Sequence, residues 1–117
     1  MKLIDLMIKD WVMVKVLSQI PNTYVLHTWT ANDYLRNLQV KQIPLTTEIL
    51  EKNGWEQTEY CHEYQYGKNT IQCRLPYMVG RINGIDIENF KCEYVHQYQH
   101  LLRLCGLNEL ANNFKVV

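Results

Sequence analysis

The dipeptide Asn83-Gly84, set between "YMVGRI" (77–82) and "IDIENF" (85–90), constrains this chain more than any other feature. A two-residue type I′ turn needs positive φ at both central positions. Asparagine tolerates that conformation and glycine adopts it freely, so Asn-Gly between apolar runs marks a tight antiparallel hairpin. A single hairpin cannot bury its apolar face alone. More strands must join it, and something must cover it.

The flanking segments supply both. "TEYCHEYQY" (58–66) and "NTIQCRL" (69–75) surround Gly67-Lys68, a second hairpin turn, within a β region spanning 57–92. Upstream, "WVMVKVL" (11–17) places Val12, Val14 and Val16 on one face at period two, which favours a strand over a helix. "QIPNT" (19–23) reads as a turn, "YVLHTWT" (24–30) as a second strand, "ANDYLRN" (31–37) as a loop or short turn, and "LQVKQI" (38–43) as a third strand. Three short strands in this space suggest a meander or an SH3-like half-barrel.

Two helices carry clear punctuation. In "IPLTTEILEKNGW" (43–55), Thr46 is the expected N-cap, and Leu45 can pack on Leu50 across it. Glu48 sits where the helix dipole favours negative charge. Gly54 fits the left-handed position after the helix, with Trp55 folding back on Leu50. The second helix is expected at 93–105, with Gly106 and Leu107 closing it onto Leu102 in the same way. Asn108 would then cap a last short helix in "ELANNF". The reading is one α+β domain over 1–117: a curved, mainly antiparallel sheet, SH3-like in its N-terminal part, packed with two or three short helices.

Composition narrows the function. Hydrophobic residues make up 47% of the chain, enough for a core without disulfides or metal. Twelve basic residues balance twelve acidic ones, so the chain lacks the electrostatic footprint of a nucleic-acid binder or of a ligand for acidic membranes. The apolar start "MKLIDLMIKDWVMVKVL" is interrupted by Lys9, Asp10 and Lys15 and has no small-residue cleavage site, which is unlike a signal peptide or a membrane span. A cytoplasmic protein with Cys61, Cys73, Cys92 and Cys105 as free thiols is the expectation.

The residues closest to chemistry lie in "CEYVHQYQHLLRLCGL" (92–107). His96 and His100 are four apart and would stand one above the other on a helix, with Cys92 four residues earlier. That spacing is a metal clamp in outline, but zinc needs three or four protein ligands and no further ligand spacing follows. Gln97 stands where a His-Glu-x-x-His motif has its glutamate, and Arg103 on the same side would repel a cation. At 100° per residue, Tyr94, Val95, Tyr98, Leu101, Leu102, Leu104 and Cys105 form an apolar arc, with His96, Gln99, His100 and Arg103 opposite, facing away from the core. The expected metal set is therefore none, with His96, His100 and Cys92 as weak candidates only.

Other constellations are weaker. Cys61 and His62 adjoin, and in a strand would point to opposite faces, which defeats a nucleophile–base pair. Asp86 and Glu88 read as solvated strand positions, and phosphate-cradling glycine loops are missing. Eight tyrosines include Tyr60, Tyr64 and Tyr66 at even spacing, an aromatic strand face that could stack bases. The glutamates among them disfavour nucleic acid and suit a protein-binding surface, where tyrosine is enriched.

Two stretches together, "IPLTTEILEKNGW" (43–55) and "YVHQYQHLLRLCGLNELANNFKV" (94–116), resemble a family of small uncharacterised proteins from gut Bacteroidales and their phages and mobile elements. "LMIKDWV" (6–12) is similar to the short strand that opens its members. The resemblance implies a bacterial or phage cytoplasm, no assigned activity and no catalytic residues. It marks Tyr94 and Val95 as core, and His96 and Gln97 as helix-start groups bonding a neighbouring strand or loop. The functional expectation is a non-enzymatic protein-binding or accessory module, without cofactor. The alternatives are a nucleic-acid-binding accessory protein using the N-terminal β portion, and a small metal-dependent or thiol enzyme. A protein partner is expected, nucleic acid and membrane are not, and a homo-oligomer is compatible with the sequence.

Overall fold

The computed structural model describes residues 6–16, 19–20, 23–35 and 38–117. The architecture is α+β, with antiparallel strands in two sheets and three short helices.

The first sheet contains β1 (Trp11–Lys15), β2 (Tyr24–Thr28) and β3 (Val40–Lys41) in the order β2-β1-β3. β1 is therefore central, and pairs Val14 with Val25 on one side and with Val40 on the other. The third strand is two residues long rather than the expected six. "ANDYL" (31–35), expected as a loop or turn, is a short 3-10 helix. The expected turn at 19–23 lies partly outside the described residues. Val12 and Val14 join Leu6 and Trp29 in a small core, as the alternation in β1 requires.

The second sheet runs β4 (Glu56–Gln57), β5 (Glu63–Tyr66), β6 (Asn69–Arg74), β7 (Tyr77–Ile82) and β8 (Ile85–Lys91) in sequence order. The Asn83-Gly84 hairpin forms as read: φ is 51° and 77° at the two residues, and Ile82 pairs with Ile85. Glycine is required again at Gly80. A Cβ there would come within 2.2 Å of the Thr70 carbonyl oxygen, so β6 and β7 approach closely only because this side chain is absent.

The segment 58–62 departs from expectation. It is a bend and turn, with His62 at a φ of 64°, and the strand begins only at Glu63. Tyr60 consequently falls outside the strand and is exposed, whereas Tyr64 and Tyr66, two apart in β5, keep a common face: Tyr64 is buried in the main core, and Tyr66 packs on the buried Trp55 at 5.5 Å between ring centroids.

The helices are α1 (Thr47–Lys52), α2 (Val95–Leu104) and α3 (Asn108–Asn112). Thr46 Oγ1 accepts from the Ile49 amide at 3.3 Å, the expected N-cap. Both longer helices end alike. The Trp55 amide donates to the Leu50 carbonyl (3.2 Å) and the Gly54 amide to Glu51 (3.1 Å). The Leu107 amide donates to Leu102 (2.9 Å) and the Gly106 amide to Arg103 (3.0 Å). These are the paired bonds of a Schellman ending, made by glycines at positive φ. Asn108 does not cap α3: it is the first helical residue, and Leu107 stands at the cap position without a side-chain bond.

The main core lies between one face of the five-stranded sheet and the helices. Ile71, Cys73, Met78, Ile82 and Ile87 from the sheet join Leu50 and Trp55 from the α1 region and Val95, Tyr98, Leu101 and Leu102 from α2. The apolar arc of α2 is therefore confirmed except at its margins: Leu104 is 72% exposed and Tyr94 only half-buried. Among the described residues no helix is long and apolar enough to cross a membrane.

Candidate functional site

The side of α2 opposite the core is polar, as the sequence requires, but it is not a solvent face. Helix, turn and strand bring the N-terminal sheet against it. Gln99 is fully buried and uses its whole amide. Its Oε1 accepts from the Trp11 amide (2.9 Å), while Nε2 donates to the carbonyls of Lys9 and Ala111 (3.0 Å each). One side chain thus joins the start of β1 to α3.

Asp10 is the counterpart from the N-terminal side, and it too is fully buried. Oδ2 accepts from the Met7 amide at 2.7 Å and lies 2.5 Å from His100 Nε2. Oδ1 accepts from Arg103 Nη1 at 2.5 Å. Arg103 also donates through Nη2 to the Ile8 carbonyl and to Asn112 Oδ1, each at 3.2 Å. A buried carboxylate is tolerable only when paired and hydrogen-bonded, and this one is both. Arg103 therefore acts as an ion-pair partner; His96, Gln99, His100 and Arg103 face away from the main core as expected, but the N-terminal segment covers them, which corrects the expectation of a solvent-facing or partner-facing surface.

The weak metal candidates separate. His96 is 4% exposed. Its ring stacks on Tyr94 (6.2 Å, 11°) and meets His100 edge to face (5.6 Å, 78°), the geometry of packed aromatic rings. His100 is taken by Asp10. Cys92 lies in the main core, on the apolar side. Burial, with Cys73 nearby, pushes its thiol up to about 12. Burial likewise raises Cys73 to about 11, and raises Cys105. Burial thus disfavours the reactive thiolate form at all three. Among the described residues no group of three His, Cys, Asp or Glu is placed to hold a metal ion. The described cysteines are all free thiols, with Cys61 alone exposed, in the 58–62 turn rather than in a strand.

Gln97 caps α2: its Oε1 accepts from the amides of Glu93 (2.8 Å) and Tyr94 (3.0 Å), the two residues immediately before the helix. A second ion-pair centre, invisible to sequence reasoning, orders the N-terminal sheet. Asp33 accepts from the Thr30 amide and hydroxyl (2.8 Å each) and lies 2.7 Å from His27 Nε2. Burial pushes its carboxyl up, but hydrogen bonds from His27 and Thr30 and the His27 charge outweigh that and hold it at about 2.

With both the apolar and the polar side of α2 packed, an accessible surface among the described residues is the helix-free face of the five-stranded sheet. The register places Tyr77 directly between Arg74 on β6 and Lys91 on β7's other neighbour, β8. Tyr77 is 50% exposed. Beside this row a hollow of about 410 Å³ is lined by Glu63, Gln72, Val79, Arg81 and Asp86. Arg81 and Asp86 form an exposed ion pair at 2.9 Å, and Lys91 lies 3.7 Å from Glu93. Compared with models of known families, with curated proteins and with solved structures, the chain matches none.

Proposed function

We propose that this chain is a non-enzymatic protein-binding accessory module of bacterial or phage biology, and that it binds an acidic segment of a partner protein on the open face of the five-stranded sheet. The observation that carries this reading is the Arg74–Tyr77–Lys91 row. An exposed aromatic ring flanked by two cations, on a sheet whose backbone is held by the main core, offers apolar contact and charge complementarity. Tyrosine and arginine are the residues most often found to anchor protein interfaces. The adjoining hollow accepts a side chain of the partner. The chain balances twelve basic against twelve acidic residues and so lacks the electrostatic footprint of a nucleic-acid binder, which favours protein over nucleic acid. The bacterial or phage setting rests on the resemblance in 43–55 and 94–116.

The test is capture from a bacterial lysate by the immobilised wild-type chain and by Arg74→Glu/Lys91→Glu, followed by direct binding of the purified partner. The wild type should retain a protein after nuclease treatment, the double variant should lose it, and the contact should map to an acidic stretch of the partner. Capture indifferent to the charge reversal, or abolished by nuclease, overturns the reading.

A further inference from the structure

A cleft of about 600 Å³ opens on the seam between the N-terminal sheet and the segment after α3. Its volume is within the range of small-molecule sites, and such sites favour junctions between packed units. Partly exposed Trp11 and exposed Ile8 supply its apolar surface, the buried Trp29 and Phe114 back it, and Lys9, Asn112 and Lys115 stand around it. No carboxylate is among the lining residues, although the chain as a whole has as many acidic as basic residues. Two exposed lysines with no acid between them make a local positive field beside Trp11.

The walls are held in place. Trp11 Nε1 donates to the Phe114 carbonyl at 2.5 Å. Asn112 Oδ1 is fixed by Arg103, which in turn bonds Asp10. The Lys115 backbone is pinned on both sides by the Asn53 amide, at 2.7 Å each way. Lys9 is the least expected. It is a non-glycine residue at a φ of 76°, secured by its amide donating to the Trp29 carbonyl (2.8 Å) and by its carbonyl accepting from Gln99. A long cationic side chain kept in a left-handed conformation, where glycine would sit without strain, is the pattern of a residue needed for its side chain.

We propose that this cleft binds a small planar aromatic ligand carrying one anionic group, with the ring against Trp11 and Ile8 and the anion between Lys9 and Lys115. A phosphate and a carboxylate both satisfy this chemistry. The site is separate from the sheet face proposed for protein binding and stands independently of it.

The experiment is calorimetric titration of the purified chain, with tryptophan fluorescence as a second readout. Four probes are used: adenosine monophosphate, indole-3-acetate, inorganic phosphate and indole. At least one of the two aromatic anions should bind one-to-one, at least about tenfold more tightly than inorganic phosphate or indole, a tenfold step in affinity being the equivalent of about 1.4 kcal/mol. Which of them binds identifies the anion as phosphate or carboxylate. Lys9→Gln/Lys115→Gln should weaken that binding about tenfold or more. Lys9→Arg/Lys115→Arg should restore it, and Tyr77→Ala on the sheet face should leave it unchanged. The proposal is overturned if neither aromatic anion saturates the chain, if inorganic phosphate or indole binds equally well, or if the glutamine exchanges change nothing.

Discussion

The five-stranded and three-stranded sheets meet α2 on opposite sides and by different means. The larger sheet presents Ile71, Met78 and Ile82 to Val95, Tyr98, Leu101 and Leu102, all buried in one apolar cluster. The smaller sheet has its own core of Leu6, Val12, Val14 and Trp29 and reaches α2 chiefly through Asp10, the Lys9 carbonyl and the Trp11 amide. Trp11 and Met13 add apolar contact with the main core. Burial of apolar area is strong and non-directional, so it holds the large sheet without specifying one seating. The hydrogen bonds of Gln99 and Asp10 are directional and expensive to break once buried, so they set the position of the small sheet. A helix can therefore be amphipathic and still have its polar side covered.

The sharpest way to break this comparison is Asp10→Ala. It strips Arg103 and His100 of their shared partner and should cost about 3–5 kcal/mol, the range for removing one member of a buried pair. Urea melts should show this as loss of the N-terminal sheet before the rest. Leu102→Ala attacks the other side. Leu102 is fully buried, so truncation should cost about 2–5 kcal/mol and lower the stability of the whole fold in one transition. His100→Ala leaves Arg103 and Met7 on Asp10 and should cost about 1–3 kcal/mol, more than the few tenths expected of a solvated residue.

These outcomes also measure what the sequence could convey. The Asn83-Gly84 hairpin, the Thr46 cap and the endings at Gly54 and Gly106 were legible because each is decided within about six residues of chain. The wheel located the polar side of α2 correctly, but not its burial, because the groups that cover it are 88 to 90 residues away. An isolated Asp10 in the apolar N-terminal run and Gln99 between two histidines were the available signals, and neither names its partner. Leu104 failed for the converse reason: it lies on the apolar arc, but no element packs over it. Tyr60 was misplaced because the turn at 61–62 interrupts an even spacing that looks like a continuous strand. The Arg74–Tyr77–Lys91 row required the sheet register, which no local pattern supplies.

A smaller effect sharpens the contrast through pH. Asp33 is held at about 2 against an ordinary 3.8, so between these values the unfolded chain binds more protons than the folded one. Its contribution is fully present above pH 4 and is lost as the pH falls toward 2. Acid titration should loosen the three-stranded sheet across that window, and Asp33→Asn should remove this part of the pH dependence.

Native-state hydrogen exchange on the wild type and Asp10→Ala tests the central claim most directly, because it reads each sheet separately. If the polar side of α2 is the joint that seats the N-terminal sheet, Asp10→Ala should speed exchange at the amides of β1 and β2 while those of β6, β7 and the Leu101–Leu102 turn of α2 keep their protection. Equal acceleration in both sheets, or none in either, would contradict the account.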